Sequence, residues 1–186
     1  HRVGLNSKLK RENNMLIPSW NYILNKFDGY NGNHSNELKE IKNEILNLEN
    51  KFPKNIRHAL IHADLFKDNI FFHDDKVSGL IDFFFTCSDS IVYDLATLIN
   101  AWFFKNNNFD ENNFSLFIKN YLEQINWKNE EKEHLNFYLK ASAIRFFLTR
   151  LYDKYYNNHG NVVHKDPLEF YEIMTFHQKN NLQDLI

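Results

Sequence analysis

Between Pro53 and Ser90 the hydrophobic pattern of this chain changes period, and that change narrows the architectures open to it. Before it, Leu38, Ile41, Ile45, Leu48 and Phe52 recur at spacings of three and four, which places them on one face of a helix. Beyond it the same period returns through Ile91, Leu95, Leu98, Ile99 and Trp102. In between lie three short apolar runs, Ile56–Ile61, Ile70–Phe72 and Val77–Phe83. A polar stretch, His62–Asn69, follows the first, and Asp74-Asp75-Lys76 separates the other two. The segment reads as strand, loop, strand, hairpin turn, strand. The pattern predicts an α+β fold, mostly helical, with a small β insert.

Local signals set the expected helix ends. Trp20–Phe27 is predicted as a short helix with Ser19 as its N-cap, stopped by Asp28-Gly29. A second helix runs over Ser35–Phe52 and closes at Pro53. Asp89 or Ser90 caps the helix that starts near Ile91. Three more are expected over Glu111–Ile125, Glu130–Tyr155 and Pro167–Leu182. The last has Asp166 as cap, proline at the first helical position and Glu169 three residues after the cap. Residues 1–18 read as an irregular lead-in, and the chain has no repeats or long linkers.

Bulk properties remove several function classes. With 43% hydrophobic residues and 18 Phe among 186 residues, the chain is not disordered and is expected to form one domain or lobe. Net charge is −2 and no basic run occurs, so neither nucleic acid nor an anionic membrane surface is an expected partner. Apolar runs such as Ala101–Phe104 are too short to span a bilayer. The single cysteine, Cys87, excludes an intrachain disulfide and fits a reducing, cytoplasmic setting. The sequence begins at His1 rather than Met, which leaves room for a removed N-terminal piece.

The densest polar cluster is His62-Ala63-Asp64-Leu65-Phe66-Lys67-Asp68-Asn69, with Ile81-Asp82-Phe83 following across the predicted hairpin. Its first part places a carboxylate and a carboxamide at two ends of a short loop. A hairpin between Asn69 and Asp82 brings those two side chains together. Carboxamide and carboxylate oxygens are hard ligands that suit Mg²⁺, which completes its shell with water and phosphate oxygens. Asp64 is left to face an acceptor hydroxyl, orient it and take its proton late in phosphoryl transfer.

The spacing H-x-D-x-x-x-x-N followed by a later Asp is that of a kinase catalytic loop and metal-binding Asp. With Tyr93-Asp94-Leu95-Ala96 at a helix start, the sequence resembles the aminoglycoside phosphotransferase and choline kinase superfamily. Within it, the chain resembles the homoserine kinase subfamily. That likeness extends through Ala143-Ile144-Arg145-Phe146, Arg150-Leu151-Tyr152-Asp153 and Lys165-Asp166-Pro167. The resemblance implies the C-terminal lobe of a protein-kinase-like fold spanning residues 1–186. It also implies ATP- and Mg²⁺-dependent phosphorylation of the L-homoserine hydroxyl in threonine biosynthesis. Asp94 is implied to brace the catalytic loop.

Other residues carry alternatives. His62 is read as holding the loop backbone. Lys67 either neutralises transferred phosphate or is a solvated loop lysine. Arg145 either recognises an amino-acid carboxylate or forms a structural ion pair, and Arg150 shares that choice. Trp102 either lines an acceptor pocket or is core. His58, His62, Asp64 and His73 form a less favoured zinc set.

Two departures from the family stand out. Asn100-Ala101-Trp102 has alanine where the family commonly carries an acid, which keeps choline or an aminoglycoside open as acceptor. The five glycines, at 4, 29, 32, 79 and 160, build no glycine-rich phosphate loop. The N-terminal lobe is therefore expected to be absent, and the fragment alone to be inactive.

Overall fold

The computed structural model describes residues 1–157 and 164–186; Gly160 lies outside them. It is mostly helical, with three two-stranded antiparallel sheets among the described residues. After a short helix α1 (Arg2–Leu5), the chain enters α2 (Ile17–Lys26) and α3 (Ser35–Glu49). The α2 helix starts earlier than the sequence suggested. Pro18 occupies its first turn, where a missing N–H costs nothing, so Ser19 lies inside the helix instead of capping it.

The β insert is wired differently from the expected succession. Strand β1 (His58–Ile61) does not join the hairpin formed by β2 (Ile70–His73) and β3 (Lys76–Leu80). It pairs instead with β4 (Cys87–Ser90), Ile61 opposite Cys87 and His58 opposite Ser90. The hairpin closes through Asp74 and Asp75, both at positive φ (49° and 56°), as a two-residue turn of the primed kind requires. Strand β3 stops at Leu80, short of the expected Phe83. Asp82 takes left-handed dihedrals (φ 60°, ψ 61°), and a 3₁₀ turn follows over Phe83–Phe85.

Helix α4 (Ile91–Trp102) follows β4 directly, and the Ser90 hydroxyl accepts from the Val92 N–H at 3.1 Å as its N-cap. A minimal hairpin of β5 (Phe104–Lys105) and β6 (Asn108–Phe109) comes next, turning on Asn106 and Asn107 at positive φ. Helix α5 spans Glu111–Gln124, its start capped by Asp110.

The single helix expected over Glu130–Tyr155 is two, α6 (Asn129–Glu133) and α7 (Leu135–Tyr156). Glu131, 1% exposed, turns inward on α6 to accept from Nε and Nη2 of Arg57, at 2.8 and 2.9 Å. Helix α8 covers Leu168–Lys179, and a 3₁₀ turn over Leu182–Leu185 follows. Asp166 does accept from the Leu168 N–H at 3.0 Å, but Glu169 leaves the helix start to pair with Arg150 at 2.6 Å.

Two apolar clusters form the interior. One joins α2, α3, α8 and the later part of α7; the other joins β1, β4, α4, α5 and the start of α7. Helix α7 therefore runs through both, and burial along it is nearly continuous from Tyr138 to Leu148. Among the described residues, no helix is long and apolar enough to cross a membrane.

Candidate active site

The loop between β1 and β2 leaves the buried sheet at Ile61 and immediately makes a tight bend. Ala63 sits at φ 63°, a region that L-residues occupy only when surrounding contacts demand it. Asp94, in the first turn of α4, supplies part of that demand. Its carboxylate accepts from the His62 N–H at 3.0 Å and the Ala63 N–H at 2.7 Å. Burial pushes the Asp94 carboxyl up, and these two backbone donors pull it back down. His1 completes the shell, its Nε2 lying 3.0 Å from Asp94.

His62 does not present a free ring to the site. Its Nε2 donates to the Ile81 carbonyl at 2.9 Å, which ties the start of the loop to the residue before Asp82. His73 is exposed beside Asp74, so the zinc set does not converge. Among the described residues no group of His, Cys, Asp or Glu side chains is arranged to hold a metal by itself.

Asp64 follows the bend and faces a cavity of about 360 Å³. Asn69 and Asp82 line the same cavity, with Asp68, Arg145, Arg150 and Lys165 on other parts of its wall. The amide nitrogen of Asn69 donates to the Asp64 carbonyl at 2.8 Å and to its carboxylate at 3.1 Å. That orientation uses the amide's donors within the loop and leaves its Oδ1 without a donor among the described residues. Among the same residues, Asp82 accepts one long bond, from the Phe84 N–H at 3.4 Å. A carboxamide oxygen and a carboxylate bordering one cavity form a donor set that fits Mg²⁺.

Burial pushes the Asp64 carboxyl up from the ordinary aspartate range. Arg145, His62 and the Asn69 hydrogen bond act against that shift, while the nearby Asp82 charge adds to it. A carboxylate in this state is a better proton acceptor than one in water.

The remaining expected residues have more structural surroundings. Trp102 does not line the cavity; its indole N–H donates to the Leu65 carbonyl at 2.9 Å and so anchors the loop from α4. Lys67 also lies away from the cavity wall, its ammonium 5.8 Å from the Trp102 ring centroid. Arg145 reaches the cavity from α7, with part of its guanidinium already engaged. Its Nη1 donates to the Ala63 carbonyl at 2.5 Å, and its Nε is enclosed with no partner among the described residues. Arg150 spends Nη1 on the Asp166 carbonyl and Glu169.

Sequence reasoning overlooked Lys165, whose ammonium borders the cavity and pairs with Asp68 at 2.8 Å. It stood in a recognisable Lys165-Asp166-Pro167 string, but only Asp166 and Pro167 were given roles, both at the helix start. A second cavity, about 590 Å³ and mainly apolar, is lined by residues including His62, Leu65, Leu80, Phe83, Leu95 and Leu98.

A looped Asp–Asn pair and a later Asp at one cavity, with a buried carboxylate under the loop, are the kind of arrangement on which phosphoryl transfer is built. Comparison with known proteins gives the class its family: a model of the phosphotransferase enzyme family matches residues 16–124, and the chain belongs to that family. It is 38% identical to a homoserine kinase of Sinorhizobium fredii and 38% identical to one of Rhizobium meliloti, each over 181 residues. A homoserine kinase of Parvibaculum lavamentivorans is 35% identical over 181 residues. These alignments cover 96% of this chain but 56% of each relative, so the chain spans little more than half their length.

Proposed function

We propose that residues 1–186 form the acceptor- and metal-binding lobe of a kinase that phosphorylates the hydroxyl of L-homoserine with ATP and Mg²⁺. The observation that carries this reading is the shared cavity of Asp64, Asn69 and Asp82. The names of the relatives support homoserine as the acceptor. Threonine biosynthesis is the corresponding pathway, and a cytoplasmic site accords with the lone, free Cys87.

In this reading the acceptor hydroxyl donates its hydrogen bond to Asp64, on the carboxylate oxygen that Asn69 leaves open. The hydroxyl oxygen bonds to the γ-phosphorus as the bridging oxygen to ADP departs, and its proton passes to Asp64 late in the step. Asn69 Oδ1 and Asp82 hold Mg²⁺, which supplies neutralisation of phosphate charge when bound. Asp94 and His62 keep the loop in shape, and Lys67 is a peripheral cation. Arg150 and Lys165 place positive charge on the cavity wall, which suits an acceptor bearing a carboxylate.

The glycine-rich lobe that covers ATP is assigned outside residues 1–186. The exposed apolar side chains Leu80, Ile81, Phe83 and Phe84 beside the site support a surface that another lobe covers. Alone, this chain is expected to bind MgATP weakly or not at all in calorimetry.

The decisive assay offers ATP and a panel of homoserine, choline and an aminoglycoside to the full-length natural protein. Homoserine is expected to be phosphorylated, and Asp64→Asn to lower kcat by about 10²–10⁴-fold. Phosphorylation of choline in preference to homoserine would overturn the acceptor assignment.

A further inference from the structure

Ala63 is the residue immediately before Asp64, and its conformation decides where that carboxylate points. It lies at φ 63°, where a β-carbon is crowded and only glycine is at ease. Something must hold an alanine there. Its N–H is taken from one side by Asp94 of α4 at 2.7 Å. Its carbonyl is taken from the other side by the Arg145 guanidinium of α7 at 2.5 Å. Ala63, Asp94 and Arg145 are each 1% exposed, so water does not compete for either bond.

Arg145 is itself tightly fixed. Its guanidinium carbon lies 4.9 Å from the Phe85 ring centroid and 4.6 Å from that of Phe146. Its Nη1 also reaches the Tyr93 hydroxyl at 3.3 Å, which links it to the residue before Asp94. No carboxylate is hydrogen-bonded to it among the described residues. A buried cation spent on a carbonyl and a phenol is a poor stabiliser of the fold, because a well-packed apolar side chain serves that purpose as well or better. The enclosed Nε likewise takes the Nε–Nη edge away from an incoming carboxylate.

We infer that Arg145 is a positioning residue, which together with Asp94 clamps the two sides of Ala63 and so holds Asp64 in its aim at the acceptor. As a claim about catalysis this rests on the phosphoryl-transfer reading; as a claim about the loop it does not.

The test uses Arg145→Lys, Arg145→Met, Ala63→Gly and the Arg145→Met/Ala63→Gly pair, read first by NMR on residues 1–186. In Arg145→Met, exchange of the Ala63 amide should speed about tenfold or more. Adding Ala63→Gly should slow that exchange again, since glycine takes positive φ without strain. Arg145→Lys keeps the charge but loses the planar donor fork, so it too should speed the Ala63 amide. If Arg145→Met does not fold, Arg145→Lys with and without Ala63→Gly asks the same question of the loop.

In the full-length protein, Arg145→Lys should lower kcat with the KM for homoserine within about threefold, and Ala63→Gly should restore part of the loss. An Ala63 amide that exchanges at the wild-type rate in every folded Arg145 variant overturns the clamp. So does a KM that rises with kcat preserved, the mark of a substrate ligand. Absence of homoserine phosphorylation by the wild type is a separate result. It sinks the kinase reading and leaves the NMR comparison intact.

Discussion

The β1–β4 and β2–β3 pairs are both short antiparallel ladders, yet their surroundings are opposite. In β1–β4, Ala59, Ile61 and Cys87 are each no more than 5% exposed and pack against α4. In β2–β3, Phe71, Phe72 and Val77 are each more than half exposed, and the strands cover little of the protein's interior. Asp64 leaves the buried ladder and Asn69 enters the exposed one. Asp82 lies on the return path between them. The candidate site is thus suspended between a pair anchored in the core and a pair whose apolar faces remain open. Accurate aim at Asp64 has to come from the buried side, through Asp94, Arg145 and Trp102. The exposed side is free to meet another surface.

The comparison can be broken most severely at Asp94. Asp94→Ala removes the acceptor for two buried N–H groups that have no other partner among the described residues. Each orphaned donor costs about 1–3 kcal/mol, so urea unfolding should show a loss of about 2–6 kcal/mol. A loss below about 1 kcal/mol would mean that the loop finds other partners and is not anchored as described. The second test lies in β1. Ile61, 2% exposed, should cost about 2–4 kcal/mol when replaced by alanine, because β1 and α4 cannot collapse around the space left.

How far this division was legible depended on the range of the signals. Asp64, Asn69, Asp82 and Asp94 were conspicuous because their chemistry is concentrated in short strings at characteristic spacings. The alternation of helix and insert was equally readable from local period. The β1–β4 pairing was not, because Cys87–Ser90 has three small polar or charged residues in four and no apolar run. Its strand conformation comes from its partner. The inward turn of Glu131 was hidden for the same reason: Arg57, which pairs with it, is far away in the chain. Arg145 was visible as an arginine on a partly apolar helix. Its use on the Ala63 carbonyl required knowing that α7 passes beneath the loop.

A smaller effect sharpens the contrast by locating a pH-sensitive group on the buried side. His177 of α8 is fully buried, and its Nε2–H donates to the Asn100 side-chain oxygen at 2.8 Å while Nδ1 has no partner. Burial, aided by the Lys140 charge, pushes its pKa down from 6.5 to about 3. The unfolded chain therefore binds a proton below about pH 6.5 that the folded chain refuses until about pH 3, so stability falls as pH falls through that window. Between pH 7 and 5 this one group should remove about 2 kcal/mol. His177→Gln, which keeps a donor for Asn100, should flatten that part of the pH dependence in urea titrations. An unchanged slope would place the pH sensitivity elsewhere.

The smallest expected effect belongs to the exposed hairpin and is the most informative about it. Val77 is 61% exposed and stands opposite Phe72. Val77→Thr keeps the branched β-carbon that favours a strand and changes only the apolar character of the face. If this face meets solvent in residues 1–186, unfolding free energy should move by no more than about 0.5 kcal/mol. The same substitution in the full-length protein separates two situations that the isolated chain cannot. A loss of about 1 kcal/mol or more there, with none here, means that the face is covered by the rest of the protein. Equal and negligible effects in both leave the hairpin open to water, and its exposed aromatic residues then require another account.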